Sequence, residues 1–422
     1  MARVLLLLPS GTYRAPDFLA AARSLGVEVV VASDRRQAMS RTLGDRALTL
    51  SLRDPEAACE RIVALAERTP LDAVVAADDA GVVAAAHACE RLGLRGNPAA
   101  AAARTRDKAA LRDALATAGI AQPDFRVAAP GDEIGRLARE VGLPCVVKPL
   151  SRSASQGVIR ADDPAAAARA AERVGAILAE VGPEASDRRL LVERYVPGAE
   201  VAVEGLLRGG ELEVLAVLDK PDPLEGPYFE ETLLVTPSRL SAPSVRAVER
   251  ATDAAAAALG LREGPVHAEL RVTAGGEVAV LELAARTVGG LCARTLRFGL
   301  GVSLEEVVLR QALGLPLAGL RREVAAAGVM MLPIPRAGVL EEVGGRERAL
   351  AVPGIAGLEL SVRPGRPVRP LPEGERYLGF LFARAGAPEE VEGALREAHA
   401  ELDVRIAAPA RPSSAPTPAV PA

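Results

Sequence analysis

The stretch Val266-His267-Ala268-Glu269-Leu270-Arg271-Val272, then Thr273-Ala274-Gly275-Gly276-Glu277, then Val278-Ala279-Val280-Leu281-Glu282-Leu283-Ala284-Ala285-Arg286, decides how the chain is read. Apolar residues alternate on both sides of a glycine pair, which predicts a β-hairpin. Pairing counted outward from a two-residue Gly275-Gly276 loop sets Glu269 opposite Glu282. Their Cβ atoms would then lie about 5 Å apart. Like charges so placed repel unless a cation stands between them, and a hard divalent ion with oxygen ligands suits the position. Two solvated glutamates on an exposed face are the plain alternative, and the flanking apolar residues argue against full exposure. Glu269 and Glu282 are therefore the candidate metal ligands.

Arg286 follows four residues after Glu282, just before Val288-Gly289-Gly290. A guanidinium there can neutralise charge on a transferred phosphoryl group, and glycines let backbone N–H groups approach an anion. A surface arginine is the alternative in a chain so rich in arginine. His267 shares the strand face of Glu269. It is a candidate for orienting substrate or assisting proton transfer, and a structural histidine is equally compatible. Arg286 and His267 are the candidate catalytic residues; Gly289, Gly290 and Arg294 are the candidate substrate contacts.

The chain has three lysines, Lys108, Lys148 and Lys220, against 51 basic residues in all. A lysine kept against that bias marks a place where a compact ammonium is needed. Lys148 ends the strand Pro144-Cys145-Val146-Val147-Lys148-Pro149. The loop Ser151-Arg152-Ser153-Ala154-Ser155-Gln156-Gly157 follows, with N–H and O–H groups suited to phosphate oxygens. No GxxxxGK[ST] is present. Lys108 opens a helix after Thr105-Arg106-Asp107. Lys220, Tyr228, Glu230 and Glu231 fall in or beside a Pro- and acid-rich loop, residues 219–231, where substrate contact is conceivable.

Outward from these motifs, residues 3–100 read as a doubly wound α/β layer. Asp34 ends the second strand, but the first turn holds only Gly11, so a nicotinamide oxidoreductase is disfavoured. The four cysteines, Cys59, Cys89, Cys145 and Cys292, show no metal or redox spacing and read as buried apolar residues in a reducing, cytoplasmic setting. A net charge of -4, without a basic stripe, excludes a nucleic-acid surface. The apolar run at residues 4–8 is too short for a membrane span.

Arg106-Asp107-Lys108, Val146-Val147-Lys148-Pro149, the Ser/Gly loop, Val192-Glu193-Arg194-Tyr195-Val196-Pro197-Gly198-Ala199-Glu200 and the Glu269/Glu282 pair occur in one order. That ordered set resembles the ATP-grasp superfamily over residues 1–315. The resemblance implies an α/β and α+β architecture: an N-terminal doubly wound domain (1–104), a two-lobed ATP-grasp domain (105–318, lid about 125–205), a small C-terminal α+β domain (319–407) and a disordered tail (408–422). It implies ATP as cofactor, with Lys108, Lys148, Ser153, Ser155 and Gly157 at the phosphates. Glu193, Tyr195 and Val196 would meet adenine, and Glu200 the ribose. Glu269 and Glu282 would bind Mg²⁺, with room for a second ion and for Mn²⁺ instead. One departure stands out: Ala284 occupies a position where many members have an asparagine ligand. Glu282-Leu283-Ala284-Ala285-Arg286 and the C-terminal run Met331-Leu332-Pro333-Ile334-Pro335 resemble L-amino-acid ligases in particular. The function implied is a carboxylate–amine ligase acting through an acyl phosphate on small substrates, amino acids foremost, without nucleic-acid or membrane partners; a homodimer fits the family. A biotin- or bicarbonate-dependent carboxylase, a purine-pathway ligase and a non-catalytic ATP-binding module stay open as alternatives.

Overall fold

The computed structural model describes residues 1–36, 44–182, 187–299 and 301–408. The expected disordered tail lies outside these residues except for Ala408. The first strand, Arg3–Leu7, is almost wholly apolar because both faces of its sheet are covered. It pairs in parallel with Glu28–Ser33 and Ala73–Ala76, and Ala47–Thr49 extends the sheet. Leu5 and Leu7 pack with Ile62 and Ala84, on helices Pro55–Ala66 and Val82–Leu92. Val4 and Leu6 pack on the opposite face with Phe18 and with Val308 and Leu309. The last two belong to helix Leu304–Ala312, which the sequence reading assigned to the central domain but which covers the N-terminal sheet. Asp34 accepts hydrogen bonds from the Ser10 N–H (2.6 Å) and hydroxyl (3.0 Å). It ties the first turn together, a structural use for the acid that closes the second strand.

Strands Phe125–Ala128, Leu190–Arg194, Cys145–Pro149 and Ile159–Ala161 form, in that order, an antiparallel lid sheet backed by helices Ile134–Val141 and Pro164–Val181. Below it lies an antiparallel sheet of eight strands. Their order is Val278–Ala284, Gly264–Val272, Ala199–Arg208, Glu211–Asp219, Leu233–Thr236, Ala326–Leu332, Gly379–Ala385 and Ile355–Leu360. The Gly209-Gly210 turn, with both φ angles positive (64° and 96°), closes its longest hairpin as expected of a type I′ loop. The sheet runs past the anticipated boundary at residue 318, because Leu233–Thr236 pairs with Ala326–Leu332. Strand patterning gives the faces of each strand but not its neighbours, so this continuity was not legible in the sequence.

Val201, Val203, Val266 and Leu270 pack under helices Lys108–Thr117 and Ala242–Leu259. By alternation, Glu200, Glu204, His267, Glu269 and Arg271 point to the opposite face, toward the lid and the C-terminal segment. A three-stranded sheet, Pro367–Val368, Gly338–Gly344 and Asp403–Ala407, completes the C-terminal unit with helix Pro388–Ala400. All four cysteines are buried and free. Among the described residues, no helix is long and apolar enough to cross a membrane.

The N-terminal sheet is fastened to the rest by a buried pair, Arg14 with Glu305 at 3.2 Å, each side chain 2 % exposed. Arg14 also donates to the Ala77 carbonyl at 2.9 Å. Replacing Arg14 alone with Met leaves a buried carboxylate without its partner, so chemical denaturation is expected to show a loss of about 3–5 kcal/mol. The double variant Arg14→Met/Glu305→Met is expected to lose less than half of that.

Candidate active site

The site is built outward from the acidic hairpin. Its loop holds three residues, 274–276, closed by the Thr273 N–H to the Glu277 carbonyl (2.9 Å). Near the turn, Val272 faces Val278 and Leu270 faces Val280, one residue out of the expected pairing. A bulge at Leu281 restores it, so that Glu269 faces Glu282 and His267 faces Ala284. The expected opposition is present, but through two compensating irregularities. Arg112 holds the bulge, donating to the carbonyls of Val280 (3.3 Å) and Leu281 (2.7 Å).

Arg112 has a second role. Its guanidinium grips Glu193 (2.8 Å), whose other oxygen pairs with Lys148. Burial would raise Glu193, but Arg112 and Lys148 outweigh it and hold the carboxyl below its ordinary range. Burial, with help from Arg112 and Lys108, lowers Lys148 despite Glu193. Glu193, expected at adenine, thus spends its carboxylate on fixing Lys148. Lys108 is the first residue of its helix, capped by Asp107, and donates to the Arg152 carbonyl (2.8 Å) and to Glu282 (3.4 Å).

Around Glu269 the charges alternate. Lys220, which the sequence marked by its rarity and as a conceivable substrate contact in the 219–231 loop, is buried among Glu200 (2.8 Å), Glu231 and Glu269 (3.3 Å). Arg271 takes the other oxygen of Glu200 at 2.9 Å, so the residue expected at ribose is held from both sides. Carboxylate oxygens of Glu200, Glu231 and Glu269 lie within 4.8 Å of one another. Burial pushes Glu231 up to about 7 against the pull of Lys220, with the Glu269 charge adding to the rise. Burial would likewise raise Glu269, but Lys220 and His267 hold it well below the usual range.

His267 bonds through Nδ1 to Glu204 and lies 3.6 Å from Glu269 through Nε2. Burial alone would depress it, but the Glu204 charge and hydrogen bond, aided by Glu269, raise it to about 9. With a carboxylate at each ring nitrogen, His267 is placed to hold Glu269. The Glu204 carboxylate also accepts the Val288 N–H at 3.0 Å, aligning the start of the Gly289-Gly290 segment.

Asp79, just past strand Ala73–Ala76, ties the N-terminal domain to both lobes of the central one. It meets Arg106 (2.9 Å), Arg286 (3.1 Å) and the Ser153 hydroxyl (2.9 Å). Burial opposes its charge, but Arg286 and Arg106 hold the carboxyl far below the carboxylate range. Sequence reading missed Asp79, Arg112, Arg271 and Glu204. Arg112 lies one helical turn after Lys108 on the same face, a signal that was available. Asp79 lies at the carboxyl end of a parallel strand, where open α/β sheets place ligands.

Most of these groups line one cavity of about 370 Å³, while Arg106, Arg112, Glu204 and Lys220 stand behind its wall. Lys108, Lys148, Ser153, Ser155, Glu193, Tyr195, Val196, Glu200, His267, Glu269, Glu282, Arg286, Gly289 and Gly290 all border it, as do Tyr13 and the C-terminal residues Glu375, Arg376 and Tyr377. Two anticipated residues stand apart. Arg294 turns away to Asp17 (2.9 Å) and Glu359 (3.5 Å), between the first helix and a C-terminal strand. Gly157 donates its N–H to the Pro372 carbonyl (2.9 Å) and does not border the cavity.

A lid sheet over a core hairpin, with lysines and paired carboxylates between them, is the arrangement that the sequence resemblance implies. The comparisons carry this further: the chain belongs to the ATP-grasp ligases. Residues 141–295 match the ATP-grasp domain, 19–96 the ATP-grasp N-terminal domain and 330–407 the L-amino acid ligase C-terminal domain 2. The structure is similar to that of the L-amino acid ligase from Bacillus licheniformis, with a TM-score of 0.79 and 25% identity over 96% of this chain and 99% of that one. It is 30% identical to D-alanine–D-alanine ligase of Anaeromyxobacter dehalogenans (strain 2CP-1 / ATCC BAA-258), over 51% of this chain and 68% of that protein. It is 28% identical to alanine–anticapsin ligase of Bacillus subtilis (strain 168), over 60% of this chain but only 56% of the relative's length.

Arg112→Met removes one of the two cations paired with buried Glu193, leaving Lys148, and takes their donor from the bulge carbonyls. The expected loss is about 3–5 kcal/mol by denaturation. Glu193→Gln in the same chain is expected to recover part of it, and an unaltered stability in Arg112→Met would contradict the arrangement.

Proposed function

We propose that the protein joins the carboxylate of one amino acid to the amine of a second, through an acyl phosphate, with release of ADP and phosphate. The observation that carries this reading is the convergence of Glu269, Glu282, Lys108, Lys148 and Arg286 on one cavity beneath a lid. A carboxylate oxygen attacks the γ-phosphorus and ADP leaves; the amine then attacks the acyl carbon, phosphate leaves and the amine loses a proton.

Positioning and charge neutralisation supply most of the catalysis in such transfers. Lys148, fixed by Glu193, and Lys108, fixed by the Arg152 carbonyl, would meet the phosphates. Arg286, held at its site by Asp79, would face the oxygens that gain charge on the transferred group. Glu269 has Glu282 opposite it across the hairpin and Glu200 and Glu231 nearby, an oxygen-only set of donors that fits a hard cation. Mg²⁺ held there would neutralise phosphate charge. Ala284 offers no amide ligand, and the further carboxylate beside Glu269 is that of Glu231. Lys220 keeps Glu200, Glu231 and Glu269 together, a structural use that differs from a role in a mobile substrate loop. Loop residues 151–157 lie over the cavity and would exclude water from the acyl phosphate. Four buried free cysteines are in keeping with action in the cytoplasm.

The test is ADP release with Mg-ATP across amino acids, singly and in pairs, for the wild type and Glu282→Ala. ADP should appear with particular pairs only, and the variant should fall by about 100-fold or more. AMP and pyrophosphate in place of ADP, or turnover that requires bicarbonate, would refute the reading.

A further inference from the structure

The loop over the cavity is held from outside the ATP-binding lobes. Ala154 and Ser155 are successive non-glycine residues in the left-handed region, with φ of 55° and 54°. Such a backbone persists only where its surroundings over-determine it. The flanking residues show what does so. Gln156 is a polar side chain only 5 % exposed. Its Oε1 accepts from Arg152 Nε (2.7 Å) and its Nε2 donates to the Glu373 carbonyl (2.8 Å). The Gly157 N–H reaches the Pro372 carbonyl at 2.9 Å. Arg152 pairs with Glu375 (2.6 Å), and Arg173, on the lid helix, with Glu373 (2.7 Å). Every one of these contacts joins the lid to residues 372–375 of the C-terminal unit, or braces a residue that does. The same segment continues into Glu375, Arg376 and Tyr377, which wall the cavity.

We infer that Gln156 is a positioning residue that tethers the phosphate-facing loop to the C-terminal unit, and that this tether keeps water from the acyl phosphate. The inference rests on the ligase reading for its second half only. Gln156 itself does not border the cavity, so it acts through the loop rather than on substrate. Without the tether, Ser155 loses its fixed place and Ser153 keeps only its bond to Asp79, the loop opens more often, and water cleaves the acyl phosphate to carboxylate and phosphate. ADP is then made without amide.

The experiment compares the full-length wild type with Gln156→Leu, which keeps bulk and removes both hydrogen bonds. Two quantities are read: the dissociation constant for Mg-ADP by calorimetry, and moles of ADP per mole of amide. Leucine should weaken Mg-ADP by roughly 3- to 20-fold and raise the ratio from one to above about two. Should Gln156→Leu fail to fold, the double variant Arg173→Met/Glu373→Gln, which loosens the same tether away from the cavity wall, should shift both quantities in the same direction by less. Unchanged affinity and a ratio of one in a folded variant overturn the tether. Weakened affinity with a ratio of one overturns its role against water. A wild type that makes no amide with any pair refutes the ligase reading, while the affinity arm still decides the tether.

Discussion

Two carboxylates, Glu269 and Glu282, are held face to face across one hairpin, and the rest of the site answers that repulsion. The strand register could relieve it by slipping one residue, which would turn one set of side chains into the core. The bulge at Leu281 prevents this, and Arg112 holds the bulge by its carbonyls. Cations then gather on both flanks: Lys220 and His267 beside Glu269, Lys108 beside Glu282. A divalent ion and the phosphates of a nucleotide complete such a charge pattern naturally.

The second constraint is that no one domain holds the site. Asp79 brings the N-terminal sheet to Arg286, to Arg106 and to the lid loop at Ser153. The C-terminal unit contributes the end wall through Glu375, Arg376 and Tyr377, and its strand Ala326–Leu332 extends the core sheet itself. Small displacements between these parts would move Lys108, Ser153 and Arg286 relative to each other, and reaction rates are sensitive to about 1 Å. Buried pairs such as Arg14 with Glu305 keep the parts in register.

Much of this was legible in the residues, and the failures have physical reasons. The Glu269/Glu282 opposition could be counted from the glycine turn, yet a three-residue loop and a bulge reached the same pairing by another route. The rarity of lysine singled out Lys108 and Lys148, and both border the cavity. Rarity could not show that Lys220 would be buried among three carboxylates, because that depends on which strands lie side by side. Arg294 was indistinguishable from a cavity residue by spacing, until the fold turned it to Asp17. Asp79 and Glu375 lie about 300 residues apart in the chain; the lid loop meets both, and no local pattern announces such a meeting.

The central claim is that substrate carboxylate oxygen becomes bonded to phosphorus in this cavity. Labelling both carboxylate oxygens of the acyl donor with ¹⁸O and following phosphorus by NMR tests it directly. One ¹⁸O in inorganic phosphate, with ADP unlabelled and one ¹⁸O retained in the amide, is the predicted result. Label in AMP would show adenylation instead, and unlabelled phosphate would show that no acyl phosphate had formed.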